Sequence, residues 1–168
     1  MSRILLVFHS RTGTARKVAI ALASQNDWAL GEVERRRSGA SFLGCAVQAL
    51  LHLQPAIDYD GPDPAAFDLV VLVSPVWCGT LAAPMRSFLA KFGSELRTHA
   101  VFMVMGGRDA RGATAAIDRL LGRPARMTTS LRQAVVDAGR QQRAIEDFTR
   151  RVAAEFEAAE PPLVRKAA

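Results

Sequence analysis

Apolar runs and helical stripes alternate along the chain. Residues 4–8, 69–73 and 100–105 are continuous apolar segments of strand length. Each is followed by a short polar or glycine-containing loop and then by apolar residues at the i, i+3, i+4, i+7 spacing of one helix face. The pattern predicts three strand–loop–helix units and one further helix. The stripe positions are Ala15, Val18, Ala19 and Leu22; Met85, Phe88, Leu89 and Phe92; Ala113, Ala116, Ile117 and Leu120; and, in the last helix, Ile145, Phe148, Val152 and Phe156.

Strands that are apolar on both faces are typical of parallel sheets covered by helices on both sides. Because alternating strands and helices require right-handed crossovers, the chain is predicted to be an α/β protein with a three-layer α/β/α sandwich. Weaker strand patterns at residues 31–35 and 126–130 raise the predicted parallel sheet to five strands. The long segment 38–64 carries a short helical stripe ended by Pro55, for which we weigh core packing, a lid or a dimer contact. The stripe consists of Leu43, Val47, Leu50 and Leu51.

The length of 168 residues, 49% of them hydrophobic, is enough for one domain with a sizeable core. We expect this domain to cover residues 1–160 and residues 161–168 to fray. The apolar run at residues 4–8 is shorter than the roughly seven residues that a signal peptide needs, and no run reaches the roughly 18 of a membrane span. The two cysteines, Cys45 and Cys78, form no CxxC pair. We therefore expect a cytoplasmic protein without a membrane span.

The net charge of +6 favours acidic or phosphorylated partners. The arginines are scattered apart from Arg35-Arg36-Arg37, and aromatic residues make up only 7% of the chain. A nucleic-acid partner is therefore not expected.

Ligands of open parallel sheets bind outside the carboxyl ends of the strands, so the loops after the strands come first as candidates. The first such loop contains three hydroxyl side chains and a glycine and leads directly into a helix. Free N–H groups, hydroxyl donors and the positive end of a helix dipole meet there, which suits a phosphate group. The alternative is an ordinary helix N-cap without a ligand. The loop consists of Ser10, Arg11, Thr12, Gly13, Thr14 and Ala15.

Two further loops occupy equivalent positions. Trp77 and Gly79 follow the third strand, where an indole can lie against a planar ring, and Gly106 and Gly107 follow the fourth, where small residues let backbone amides approach a ligand. The alternatives are a core tryptophan and a simple turn. The coincidence of three such loops favours a ligand site.

Several other kinds of site are excluded. His9, His52 and His99 lack metal-ligand spacing with each other or with either cysteine, so no metal site is expected. Neither cysteine is followed by an arginine six positions later, as a phosphatase nucleophile would need. The chain has no GxGxxG and no GxxxxGK[ST] motif, which argues against a resident dinucleotide and against an ATPase.

The residues of the three loops and the strands before them resemble the flavodoxin-like family of FMN-binding proteins. The first loop matches five of the six positions of that family's phosphate signature, and Ala15 replaces its last hydroxyl residue. Residues 68–79, followed by 83–89, are similar to the second flavin loop and its helix, and residues 105–107 are like the third flavin loop. The resemblance implies the strand order 2-1-3-4-5 and FMN as the cofactor.

The resemblance also implies a set of site residues. Ser10, Arg11, Thr12, Gly13, Thr14 and Ala15 would hold the FMN phosphate, Pro75, Val76, Trp77, Cys78 and Gly79 would border the isoalloxazine, and Gly106, Gly107 and Arg108 would lie at its pyrimidine edge. Arg108 is the candidate for stabilising reduced flavin, with a solvated side chain as the alternative. Arg35-Arg36-Arg37 is a candidate for the extra phosphate of NADPH, with a solvated turn as the alternative.

Two features separate the chain from the electron carriers of that family, which are typically acidic and often cover the flavin with a tyrosine. The chain is basic, and residues 106–112 contain no aromatic residue. An open ring face is what hydride transfer requires. We therefore predict an FMN-dependent oxidoreductase that moves electrons from NAD(P)H to a quinone or another small-molecule acceptor. The alternatives are a carrier that serves a redox partner protein and, because of Ala15, a flavin-free protein-binding module; a homodimer is left open.

Overall fold

The computed structural model describes residues 3–36, 55–107 and 109–159, of which 156–159 are described by their backbone alone. Within these ranges the backbone forms seven strands and five helices. The strands are β1 (Ile4–Phe8), β2 (Ala29–Arg35), β3 (Ile57–Asp60), β4 (Leu69–Trp77), β5 (Thr80–Leu81), β6 (His99–Met105) and β7 (Thr128–Arg132). The helices are α1 (Thr14–Asn26), α2 (Ala83–Phe92), α3 (Arg111–Leu121), α4 (Gln133–Asp137) and α5 (Gln142–Ala159), with 3₁₀ turns at Pro64–Ala66 and Gly93–Glu95.

The strands form one sheet in the order β3-β2-β1-β4-β6-β7. The neighbours β2-β1-β4-β6-β7 are parallel, which confirms the order 2-1-3-4-5 for the five predicted strands. The prediction of a purely parallel five-stranded sheet was incomplete, because β3 pairs antiparallel with β2 and β5 pairs antiparallel with β4. Sequence order reverses at β1, which lies between β2 and β4 and so creates the crevice that ligands use in such sheets.

Alternate side chains of the parallel strands enter two separate cores. Leu6 and Phe8 of β1 face a core that contains residues of α1 and α5, and Phe102 meets Phe148 of α5 edge to face at a centroid distance of 5.3 Å. Leu5 and Val7 face the other core, which contains residues of α2 and α3. The predicted three-layer sandwich is confirmed, and this arrangement holds the carboxyl ends of β1, β4 and β6 side by side.

Some boundaries differ from the sequence prediction. The second strand begins at Ala29 rather than at residue 31, and the last runs over Thr128–Arg132 rather than 126–130. The five-residue helix α4 was not predicted. The predicted helix within 43–51, Arg108 and the tail 161–168 lie outside the described residues, and the single-domain boundary at residue 160 stays a prediction. No helix in the described ranges is long and apolar enough to cross a membrane.

Candidate functional site

The predicted site residues on the described part of the chain lie at the carboxyl ends of three neighbouring strands. The second strand of the site, β4, does not end at residue 73 as predicted, because Pro75 and Val76 still pair with β6, so that only Cys78 and Gly79 form the turn after it.

The loop after β1 begins beside β4, because His9 N donates a hydrogen bond to the carbonyl of Val73 at 3.2 Å. At the far end of β4, Val76 pairs with Met105 of β6. The first, second and third loops therefore start from adjacent positions along one edge of the sheet.

The first loop leaves the start of α1 without a side-chain cap. Gly13 occupies the N-cap position with a φ of +88°, a left-handed conformation that favours glycine. The Ser10 hydroxyl accepts a hydrogen bond from Gly13 N at 3.1 Å. Gly13 is itself the N-cap residue, so this bond does not cap the N–H groups inside α1. The first helical bond runs from Lys17 N to Gly13 O, so the preceding N–H groups of the first turn have no partner within the helix.

The surroundings of this helix start favour an anion. The first turn of α1 contains no acidic residue, and Thr12 is exposed at the loop surface. The hydroxyl of Thr12 lies 3.5 Å from that of Thr14. Unpaired N–H groups, two neighbouring hydroxyls and the helix dipole are together the kind of arrangement that suits a phosphate.

Ala15 contributes only its backbone to this arrangement. Its side chain is 2% exposed and packs in the core with Leu6 and Phe8. The missing hydroxyl at this position is thus replaced by apolar packing. Arg16, which follows it, forms an ion pair with Glu32 of β2.

The second loop is a tight hairpin. Trp77 and Thr80 pair across a two-residue turn whose central residues, Cys78 and Gly79, have φ values of +49° and +73°. Positive φ at both positions is typical of a type I′ turn, which matches the twist of its flanking strands. The turn exposes the free thiol of Cys78 and holds Trp77 half-buried.

The start of α3 packs against this hairpin. A Cβ on Gly112 would lie 2.3 Å from the carbonyl oxygen of Gly79, a distance that no side chain allows. Glycine at position 112 therefore lets helix and hairpin backbones approach closely.

The third loop is open above its glycines. Gly106 and Gly107 are exposed, and a Cβ on either would meet no atom within 4 Å. After them, Asp109 accepts hydrogen bonds from Arg111 N at 2.7 Å and Arg111 Nε at 2.6 Å. The backbone bond from Arg111 is the main cause that lowers the pKa of Asp109. A groove of about 410 Å³ continues from this loop, between α3 and the edge strand β7.

His9, which the sequence analysis considered only as a metal ligand, belongs to the same region. It is 6% exposed, and its ring meets Trp77 edge to face at a centroid distance of 5.7 Å. Its Nδ1 bonds the carbonyl of Val33 at 2.8 Å, while its buried Nε2 has no hydrogen-bond partner among the described residues. Burial is the main cause that lowers its pKa. The one sequence feature that could have pointed to His9 as a site residue is its place directly before the first loop.

One other sequence candidate looks different in the structure. Arg36 donates to Oδ1 of Asp58 through both Nη2, at 2.7 Å, and Nε, at 3.1 Å, which leaves it less suited to a second phosphate. Within the described ranges, no three His, Cys, Asp or Glu side chains group as a metal site.

No protein-family model and no curated protein sequence matches the chain. Solved structures do match it. A flavoprotein from Lactobacillus acidophilus NCFM, crystallised in complex with FMN, superposes with a TM-score of 0.69 at 23% identity over 82% of this chain and 98% of that one. The Fusobacterium nucleatum flavodoxin bound to flavin mononucleotide has a TM-score of 0.57 at 12% identity over 92% and 99% of the two chains. A Streptococcus pneumonia TIGR4 flavodoxin has a TM-score of 0.54 at 15% identity over the same shares.

The chain has the flavodoxin-like fold. The three loops described above are the loops at the crevice of that fold, next to the reversal of strand order at β1.

Proposed function

We propose that this flavodoxin-like protein binds FMN at the carboxyl edge of its sheet and transfers electrons from NAD(P)H to a quinone or another small acceptor. The observation that carries the proposal is the uncapped, acid-free start of α1 beside the Trp77 hairpin. One position suits a phosphate and the other suits a planar ring, and FMN joins both groups in one molecule.

The start of α1 would bind the phosphate. Ser10, Thr12 and Thr14 supply hydroxyl groups, and the N–H groups of the first turn, including that of Ala15, supply backbone donors. A hydrogen bond to a charged group contributes about 1.5–3 kcal/mol, so the single hydroxyl lost at position 15 weakens this site and does not remove it. Arg16 adds little, since its guanidinium already pairs with Glu32.

The second and third loops would border the ring. The two-residue turn and the close packing of Gly112 on Gly79 hold the backbone of the hairpin that carries Trp77. Gly106 and Gly107 leave their backbone uncovered for contacts at the ring edge. FMN, when bound, supplies the hydride and electron chemistry, and the protein supplies binding, orientation and charge.

Two features favour an enzyme over an electron carrier. Residues 106–112 contain no aromatic side chain that would cover the outer ring face, and the net charge of +6 is opposite to the acidic character typical of flavodoxin carriers. An uncovered face allows a nicotinamide or a quinone to approach the ring to about 3–3.5 Å.

The test is anaerobic addition of NADPH or NADH to the FMN-loaded, desalted protein. Loss of the flavin absorbance at about 450 nm, and its return when a quinone is added, is the expected result. A loaded protein that neither nucleotide reduces would support a carrier instead. A protein that retains no FMN would support the flavin-free binding module, which the buried, hydroxyl-free Ala15 favours.

A further inference from the structure

His9 lies between the two halves of the proposed FMN site. It is the residue directly before Ser10, where the phosphate loop begins, and its ring touches Trp77 of the ring-bordering hairpin. The residue therefore adjoins both of the loops that the proposed FMN site brings together.

The tautomer of His9 follows from its neighbour. The carbonyl of Val33 can only accept, so Nδ1 carries the proton of their 2.8 Å hydrogen bond. In the neutral ring, Nε2 then presents a lone pair. Burial lowers the pKa of His9 and favours this neutral form, opposed by the Val33 bond and Glu34 and assisted by Arg11.

Nε2 is therefore a buried acceptor without a partner among the described residues. Buried polar atoms are rarely left unpaired, because such an atom costs about 1–3 kcal/mol. Because Nε2 is buried, contact with a ligand requires a neighbouring side chain to move, and the half-buried Trp77 is the neighbour that meets the His9 ring edge to face.

We propose that His9 Nε2 accepts a hydrogen bond from a ribityl hydroxyl of the bound FMN. This inference rests on the proposed function. The ribityl chain links the phosphate to the ring, and its hydroxyls are the donors of FMN that lie between them. His9 would thus bind the middle of the ligand, and the two neighbouring loops would bind its phosphate and its ring.

The wild-type protein allows a direct test by ¹⁵N NMR of its histidine rings. His99 provides a matched control, since it is 1% exposed and its Nε2 also has no partner among the described residues. It is the first residue of β6 and therefore lies at the amino end of the strands, away from the candidate site. Addition of FMN is expected to shift the unprotonated Nε2 resonance of His9 and leave that of His99 unchanged. FMN binding that leaves the His9 resonance in place would overturn the inference while the proposed function stands.

Affinities of variants give a second test with flavin fluorescence as the readout. His9→Phe keeps a ring beside Trp77 but removes the acceptor, and it is expected to weaken FMN and riboflavin equally, by about five- to tenfold. His9→Gln places an amide oxygen within reach of the same position and should recover most of the loss. Thr12→Val should weaken FMN and leave riboflavin unchanged, because riboflavin lacks the phosphate.

The outcomes separate the two proposals. Unchanged affinity of His9→Phe for both flavins contradicts the role of His9 alone. No binding of either flavin to the wild-type protein contradicts the FMN site and the role of His9 together.

Discussion

The two ends of the three central strands use their polar groups differently. At the amino end, the single carboxylate of Asp68 accepts from Arg3 N at 3.0 Å and from Arg97 Nη1 at 3.3 Å, so it ties together the segments that enter β1, β4 and β6. At the carboxyl end, the Asp109–Arg111 pair stays within one loop, and the start of α1 has no side-chain cap.

The difference shows where the fold leaves bonding capacity for a ligand. Among the polar groups at the amino end, Asp68 bonds groups from two neighbouring segments, whereas the buried Nε2 of His99 has no partner among the described residues. The polar groups at the carboxyl end, including the first-turn N–H groups of α1 and His9 Nε2, keep donors and an acceptor available. The sheet is continuous between the ends, so the amino end serves as an internal control for experiments on the carboxyl end.

The largest expected effect comes from a negative charge placed at the carboxyl end. Thr12→Asp puts a carboxylate beside the start of α1, where it would compete for the donors of the proposed FMN phosphate site. We expect FMN affinity to fall by at least about 100-fold, measured by quenching of flavin fluorescence.

Ser94→Asp is the matched control, because it makes the same charge change at an exposed position of the amino end. Its FMN affinity should equal that of the wild type within about twofold. Equal losses in both variants would show that net charge alone governs binding, and the contrast between the two ends would then fail.

The next effect concerns the hairpin that carries Trp77. Gly112→Ala forces a Cβ to within 2.3 Å of Gly79 O, so helix or hairpin has to shift. We expect the free energy of unfolding to fall by about 1–3 kcal/mol in urea titrations, together with weaker FMN binding. Gly107→Ala, which meets no atom, should change stability by less than about 0.5 kcal/mol. Equal stability of the two variants would contradict the packing of α3 on the hairpin.

The last effect is on the pH dependence of stability, and it separates the two ends of the sheet because it leaves FMN binding unchanged. Burial, with a contribution from Arg123, lowers the pKa of His99 to about 4 from an ordinary value of 6.5. Between these values the unfolded chain binds more protons at this residue, so stability rises with pH through this window and is lost as pH falls. We expect a change of up to about 3 kcal/mol in unfolding free energy between pH 7 and pH 4 from this group.

His99→Phe should flatten part of this pH dependence and leave FMN affinity unchanged, because the residue lies at the amino end. Urea unfolding at several pH values measures the first effect and flavin fluorescence measures the second. An unaltered pH slope would show that His99 titrates alike in the folded and unfolded chain.

The three central strands, β1, β4 and β6, could be predicted from the sequence, because they are apolar runs whose side chains pack against a helix layer on each side of the sheet. The sequence was not sufficient for β3, whose residues Ile57–Asp60 alternate with aspartates and form an edge strand, or for β5, which has two residues. Such strands depend on their pairing partners rather than on a local pattern.

The site was predictable where its chemistry is local. The loop of hydroxyls and glycine before α1 is visible as a motif, because every donor comes from consecutive residues. His9 was not predictable, because its tautomer depends on the carbonyl of Val33, 24 residues away. The left-handed φ of Cys78 also follows from pairing of Trp77 with Thr80, since cysteine itself does not favour that conformation.

The most direct measurement is the ratio of the dissociation constants of riboflavin and FMN for the wild-type protein. Two hydrogen bonds to the phosphate at about 1.5–3 kcal/mol each predict that FMN binds at least about 100-fold more tightly. Equal affinity for the two flavins would contradict the assignment of the α1 start as the phosphate site, and binding of neither would contradict an FMN site at the carboxyl edge of the sheet.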